Sequence, residues 1–194
     1  MTDETPSSPG SGIPRQALTA ICLVGFMGAG KTTVGRALAT KLGWEFVDLD
    51  DLIAARDGRP IPEIFKDSGE KAFRDLERQL LQETIPSSRM PGTVLSLGGG
   101  AFIDNTNQQL LRENEIPAVF LDASAEELFL RCQQPGVERP LLSDRNGFYA
   151  LYQRRRPAYL NAEFSIQTAG REIAYIVDEI ITRLGLGSHL GASK

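Results

Sequence analysis

The residues best placed to do chemistry are Gly25-Phe26-Met27-Gly28-Ala29-Gly30-Lys31-Thr32-Thr33, which fit the phosphate-binding pattern G-x-x-x-x-G-K-[ST]. Glycines there let successive backbone N–H groups turn inward around a phosphate, with the positive end of a following helix behind them. Gly28, Ala29, Gly30, Lys31, Thr32 and Thr33 form the predicted triphosphate cradle. Lys31 can reach the β/γ-phosphates, and the Thr32 hydroxyl can ligate Mg²⁺. The context agrees. Ala20-Ile21-Cys22-Leu23-Val24 is a short apolar run suited to a buried strand. Val34, Ala37, Leu38 and Leu42 then come at helical spacing, so strand, glycine turn and helix stand in the order the mechanism needs.

Three further groups bear on the step after nucleotide binding. Alternation along an extended chain sends the carboxylates of Asp48 and Asp50 the same way, beside the P-loop. One could hold Mg²⁺, directly or through water, while the other accepts a hydrogen bond or a proton from a substrate hydroxyl. Arg74 and Glu77 sit three residues apart on a helix, and the bland reading is an exposed ion pair. Arg131, Arg139 and Arg154 to Arg156 are numerous for an acidic chain; guanidinium forks suit phosphates and carboxylates, though a solvated charged face is the alternative.

Strand-like runs alternate with helical patterns around these residues. Trp44 to Val47, Thr93 to Leu97, Ala118 to Leu121 and Phe164 to Gln167 read as further strands. Short helices are expected through Ile53 and Ala54 and from Pro62 through Phe65. A longer one runs from Glu70 to about Thr84, with Phe73, Leu76, Leu80 and Leu81 as its stripe. Thr106 with Gln109 and Ser124 with Glu127 have capping-box spacing. Gly136 to Gly147 reads as a loop containing Arg139 and Arg145. A helix through the arginine run is closed by Pro157, and Ile173 to Leu184 makes a last amphipathic helix. Asp122 ends an apolar strand and is read as a turn or cap. Such alternation implies a parallel sheet covered on both faces, whose ligands bind beyond the carboxyl ends of its strands. The P-loop, Asp48/Asp50 and Gly98 to Gly100 all fall there.

Composition removes several functions. The 194 residues suit one domain, and 41% hydrophobic with 24% charged residues is ordinary for a soluble globular chain. A net charge of −4 supplies no basic field to recruit nucleic acid or anionic membrane. No apolar run approaches the ~20 residues of a membrane helix, and the N-terminus lacks a basic, apolar leader. Cys22 and Cys132 form no metal or disulfide pattern, and they suit a reducing, cytoplasmic setting. The Ser/Pro/Gly-rich residues 1–17 and residues 186–194, which hold the lone His189, are expected to be flexible tails around a single domain at 18–185.

Taken in order, the glycine motif at 25–33, Asp48-Leu49-Asp50, Phe73-Arg74-x-x-Glu77, Ser96-Leu97-Gly98-Gly99-Gly100-Ala101, Arg139-Pro140-Leu141-Leu142 and Arg155-x-Pro157-x-Tyr159 resemble the shikimate kinase family of P-loop kinases. The likeness spans about Ala20 to Leu184. It implies a three-layer α/β/α fold with a central five-stranded parallel sheet and a mobile lid at about 133–147. It also implies transfer of the ATP γ-phosphoryl group to the 3-hydroxyl of shikimate, in a monomer using one Mg²⁺ with ATP. By the resemblance, Lys31, Asp50 and Arg139 are catalytic, and Asp50 binds shikimate hydroxyls near the attacking oxygen. Arg74 and Arg155 clamp the carboxylate, and the N–H groups of Gly98, Gly99 and Gly100 line the pocket. Thr32 and Asp48 hold the metal, Arg139 meets the transferred phosphoryl group, and Arg131 lies near adenine. A kinase for a sugar acid or a nucleoside monophosphate is the nearest rival. An inert homologue would be expected to have lost Lys31, Asp48, Asp50, Arg74 or Arg139, and a GTPase would need an Asn-Lys-x-Asp motif that the chain lacks.

Overall fold

The computed structural model describes residues 18–87, 92–133 and 144–186. Arg139, most of the expected lid, the N-terminal tail and residues 187–194, His189 among them, fall outside these. Five parallel strands, β1 (Ala20–Val24), β2 (Glu45–Asp48), β3 (Thr93–Ser96), β4 (Ala118–Asp122) and β5 (Phe164–Gln167), lie in the order β2-β3-β1-β4-β5. The three central strands are buried at every residue, whereas β2 and β5 at the edges are partly exposed. That difference explains why β1 and β4 read as unbroken apolar runs.

Helix α1 (Lys31–Leu42) comes straight after β1 and packs on α7 (Ile173–Arg183), the pair forming one outer layer. The other layer is a connected series: α2 (Leu49–Asp57) packs on α3 (Ile61–Ser87), α3 on α4 (Asn105–Glu113), and α5 (Ala125–Cys132) on α6 (Arg145–Tyr159). A short helical turn at Ala101–Ile103 touches α3, α4 and α6 and joins the series. The expected three-layer α/β/α architecture is therefore present. In register, Leu23 lies beside Ser96 and Val119, and Asp48 beside Ser96. The ends of β1, β2 and β3 consequently open onto one edge, with the P-loop emerging between β3 and β4.

Several local expectations shift. The second strand starts at Glu45 and includes Asp48, which also caps α2 by accepting from the Asp50 N–H. The two helices expected across 61–84 are joined end to end as α3, broken only at Gly69 (φ 79°, ψ 168°), a conformation open essentially to glycine alone. Arg145 and Gly147 belong to α6 rather than to a loop, because the Asp144 carboxylate caps that helix by accepting from the Asn146 and Gly147 N–H groups. Pro157 does not close α6, which runs on to Tyr159. Leu186, on the tail side of the expected boundary, is only 8% exposed.

The caps divide. Ser124 accepts from the Glu127 N–H as expected. For α4 the cap is Asp104, not Thr106: its Oδ1 accepts from the Thr106 N–H at 2.8 Å, and its Oδ2 accepts from Arg78 Nη2 at 2.7 Å. Gln109 instead donates to Glu113. Asp104→Ala removes cap and ion pair together and is expected to cost about 0.5–2 kcal/mol in urea unfolding, most of it recovered by Asp104→Asn, which keeps a capping oxygen. Equal losses in both variants would mean that the Arg78 charge pair, not the cap, does the stabilising.

Candidate active site

The P-loop is seated tightly. A Cβ on Gly28 (φ 79°) would lie 2.7 Å from Cys132 Sγ and 2.9 Å from the Leu128 carbonyl. Only a glycine both reaches this dihedral and fits over α5. Phe26, 1% exposed, fixes the loop from the other side through edge contacts to Phe148 at 5.1 Å and Tyr152 at 5.5 Å, both on α6. Lys31 Nζ donates to the Gly25 and Phe26 carbonyls at 3.0 and 3.3 Å, so its ammonium lies over the loop's own concavity.

The alternation argument for Asp48 and Asp50 reaches the right place by a different geometry, since Asp50 is already in the first turn of α2. Asp48 uses both oxygens: Oδ1 accepts from the Asp50 N–H at 3.1 Å, and Oδ2 accepts from Thr32 Oγ1 at 3.0 Å. Thr32 and Asp48 thus present two hard oxygen donors side by side at the mouth of the P-loop, a set that suits Mg²⁺. Among the described residues no three His, Cys, Asp or Glu side chains gather into a metal cluster. Mg²⁺ needs none, because it takes one or two protein oxygens and completes its shell with water and phosphate.

Asp50 lies against Gly98, where a Cβ would fall 2.4 Å from its Oδ1. Burial, and next the neighbouring Asp48, push its carboxyl above the ordinary range, with Lys31 and Arg74 pulling the other way. Arg74 is not in an exposed pair. Its Nη1 donates to both oxygens of Glu77 at 3.0 and 2.8 Å, and Glu77 is 2% exposed. The Arg74 guanidinium also lies over the rings of Phe73 and Phe65, 5.1 and 5.9 Å from their centroids. A Cβ on Gly100 would fall 2.4 Å from Arg74 Nη1 and Nη2. Burial raises the Glu77 carboxyl too, opposed first by Arg74. Glu77 was discernible in the sequence as inward-facing, since it comes four residues after Phe73 and four before Leu81 on the same stripe.

Arg155 Nη1 donates to the Gly99 carbonyl at 3.2 Å, and the Tyr159 hydroxyl donates to the same oxygen. Tyr159 is fully buried and stacked on Phe120 at 5.3 Å; burial pushes its phenol up to about 12, so it remains a donor throughout the physiological range. Gly98 to Gly100 therefore gather Asp50, Arg74 and Arg155 around one short turn. The sequence had placed Tyr159 in a motif without giving it a task.

Arg131 is tied to the P-loop and to the end of β5. It donates to the Thr168 carbonyl at 2.8 Å and reaches the Gly28 carbonyl at 3.5 Å, with Glu127 as its ion-pair partner. Of the other arginines, Arg156 is engaged elsewhere and donates to Asp122 Oδ2 at 2.7 Å. Asp122, 4% exposed, also accepts from Gln167 Nε2, so it ties α6 and the Gln167 side chain of β5 to the end of β4 instead of forming a turn or a cap. No feature of the sequence links those distant residues.

The raised carboxyl of Asp50 has a consequence for stability. The folded protein binds that proton more tightly than the unfolded chain, so ionising Asp50 costs stability, and the cost grows as pH rises from about 4, the ordinary carboxylate value, through the raised one. Asp50→Asn is expected to raise the melting temperature of the ligand-free protein at neutral pH, with the gain fading in acid. A melting temperature that falls at neutral pH, with the loss fading in acid, would show instead that the Asp50 carboxylate is held by net attraction.

Comparison with known proteins agrees with this geometry. A family model described as shikimate kinase matches residues 27–185. A shikimate kinase from Persephonella marina is 41% identical over 165 residues, covering 84% of this chain and 98% of its own. One from Thermus thermophilus is 40% identical over 175 residues, covering 89% and 92%. Among solved structures, a shikimate kinase from Acinetobacter baumannii in complex with shikimate superposes with a TM-score of 0.77 at 36% identity, covering 89% of this chain and 96% of that one. By both the family model and these relatives, the chain belongs to the shikimate kinase family.

Proposed function

We propose that this protein transfers the γ-phosphoryl group of ATP to the 3-hydroxyl of shikimate, giving shikimate 3-phosphate and ADP, a step towards chorismate and the aromatic amino acids. The observation that carries the acceptor assignment is that Asp50, Arg155 and Arg74 lie against Gly98, Gly99 and Gly100 in turn. Two guanidinium groups suit a planar carboxylate, and the half-buried carboxylate of Asp50 suits the ring hydroxyls.

Each residue takes a share of the reaction. Gly28, Ala29, Gly30, Lys31, Thr32 and Thr33 hold the triphosphate. Thr32 and Asp48 would hold Mg²⁺, which would supply charge neutralisation on the phosphates. Arg74, Arg155 and the N–H groups of Gly98, Gly99 and Gly100 fix the acceptor. Its 3-hydroxyl oxygen bonds to the γ-phosphorus as the bond to the bridging β–γ oxygen breaks, ADP leaves, and the hydroxyl proton passes to Asp50. The raised carboxyl makes Asp50 a better proton acceptor than an exposed aspartate. Lys31 neutralises charge developing on the phosphates, Arg139 is assigned to the transferred group, and Arg131 to the adenine end. Most of the catalysis is positioning and electrostatics, as phosphoryl transfer requires.

The domain at 18–185 works as a monomer in this reading, since the P-loop, Asp50, Arg74 and Arg155 meet without needing a second copy. No helix among the described residues is long and apolar enough to cross a membrane; a cytoplasmic setting is supported by both cysteines being buried thiols.

ADP release from Mg·ATP is expected to depend on shikimate and to be weak with quinate, gluconate or a nucleoside monophosphate. Preference for gluconate or a nucleotide would leave the P-loop assignment standing and overturn the acceptor site. Arg74→Ala should chiefly raise the KM for shikimate, by a factor of about 10 or more for a charged hydrogen-bonded contact, and Lys31→Ala should abolish transfer.

A further inference from the structure

The Gly99 carbonyl receives two donors, Arg155 Nη1 at 3.2 Å and the Tyr159 hydroxyl. A carbonyl oxygen has two lone pairs, so both are used. Arg155, however, is the group assigned to the acceptor carboxylate. A carboxylate taken end-on by the Nη1/Nη2 pair competes with the Gly99 carbonyl for the guanidinium's position. The carbonyl then keeps the Tyr159 hydroxyl alone.

We propose that Tyr159 is a positioning residue that keeps the Gly99 carbonyl satisfied and so releases Arg155 for the acceptor's carboxylate. The proposal rests on the acceptor-site reading above. Tyr159 is suited to this because nothing about it is adjustable. Its ring is fully buried, and it stacks on Phe120 of β4 with 27° between the ring planes, so the central sheet sets where the hydroxyl sits. The oxygen lies close to the turn on which the acceptor N–H groups depend: a Cβ added to Gly99 would be 3.7 Å from it and 3.4 Å from Arg155 Nη1. Without the hydroxyl, withdrawing Arg155 would leave a pocket carbonyl with no partner. That penalty would hold Arg155 on Gly99 and tax acceptor binding, without touching the P-loop.

Tyr159→Phe keeps the ring, and therefore the stacking, while removing the donor. In the full-length protein with saturating Mg·ATP, it is expected to raise the KM for shikimate about 5- to 30-fold. The KM for ATP and kcat should stay within about twofold, as they do for sites that share no partner. A melting temperature close to that of the parent protein establishes that the variant folds. Because Tyr159 acts through Arg155, the same substitution made on an Arg155→Ala background should add nothing further.

Other results overturn the proposal: an unchanged KM for shikimate, a parallel rise in both KM values as general structural damage would give, or a full Tyr159→Phe effect persisting on the Arg155→Ala background. Arg155→Ala alone separates this failure from that of the underlying reading. If it leaves the KM for shikimate unchanged, the carboxylate clamp is wrong and the role of Tyr159 falls with it.

Discussion

A stretch of backbone without side chains is what the site depends on. At Gly98 and Gly100 any Cβ would collide with Asp50 and Arg74 respectively, each at 2.4 Å. Because those Cβ atoms are missing, a carboxylate from α2 and a guanidinium from α3 can lie directly against the end of β3. The parallel sheet brings that end beside the P-loop through the pairing of Leu23 with Ser96. Opposite charges from separate helices thus meet on a floor of peptide groups.

Such a floor gathers charge in a poorly solvated place. Asp50 and Glu77 are both pushed above the ordinary carboxylate range by burial, and the charge of Asp50 adds to the rise at Glu77. Arg74 compensates in part, through its two bonds to Glu77 and its place over Phe65 and Phe73. Partly compensated charge is costly to a fold and useful to a reaction, because the surrounding dipoles are already oriented when the substrate arrives. The rest of the molecule is conventional by comparison, with three central strands buried throughout and aromatic side chains locking α6 to both the P-loop and the sheet.

How much the sequence disclosed depends on how local each signal is. The P-loop was legible because glycine spacing, the preceding strand and the following helix all lie within one short segment. Asp48 was placed correctly for a partly wrong reason: alternation was invoked, but the decisive fact is that it ends β2 and caps α2 in the same residue. The cap of α4 was misplaced by two residues because a capping-box pattern at Thr106 hid the simpler aspartate before it. Pro157 suggested a helix end, since it lacks an N–H, yet burial of Tyr159 against Phe120 of the sheet carries α6 past it. The Asp122–Arg156 pair and the convergence of Tyr159 and Arg155 on Gly99 join residues far apart in the chain, and no periodicity encodes them.

Asp48 is held at both of its oxygens. With Oδ1 fixed by the start of α2 and Oδ2 by Thr32, the carboxylate cannot rotate independently of the helix it caps. Its rotamer entropy, about 0.5–1.5 kcal/mol for an immobilised side chain, is lost as the protein folds and not when a ligand binds. The same geometry makes the position intolerant of a charge-conserving change. A glutamate carries its carboxylate one methylene farther out and could not serve the α2 N-terminus and Thr32 together, so at this site the length of the side chain matters as much as its charge.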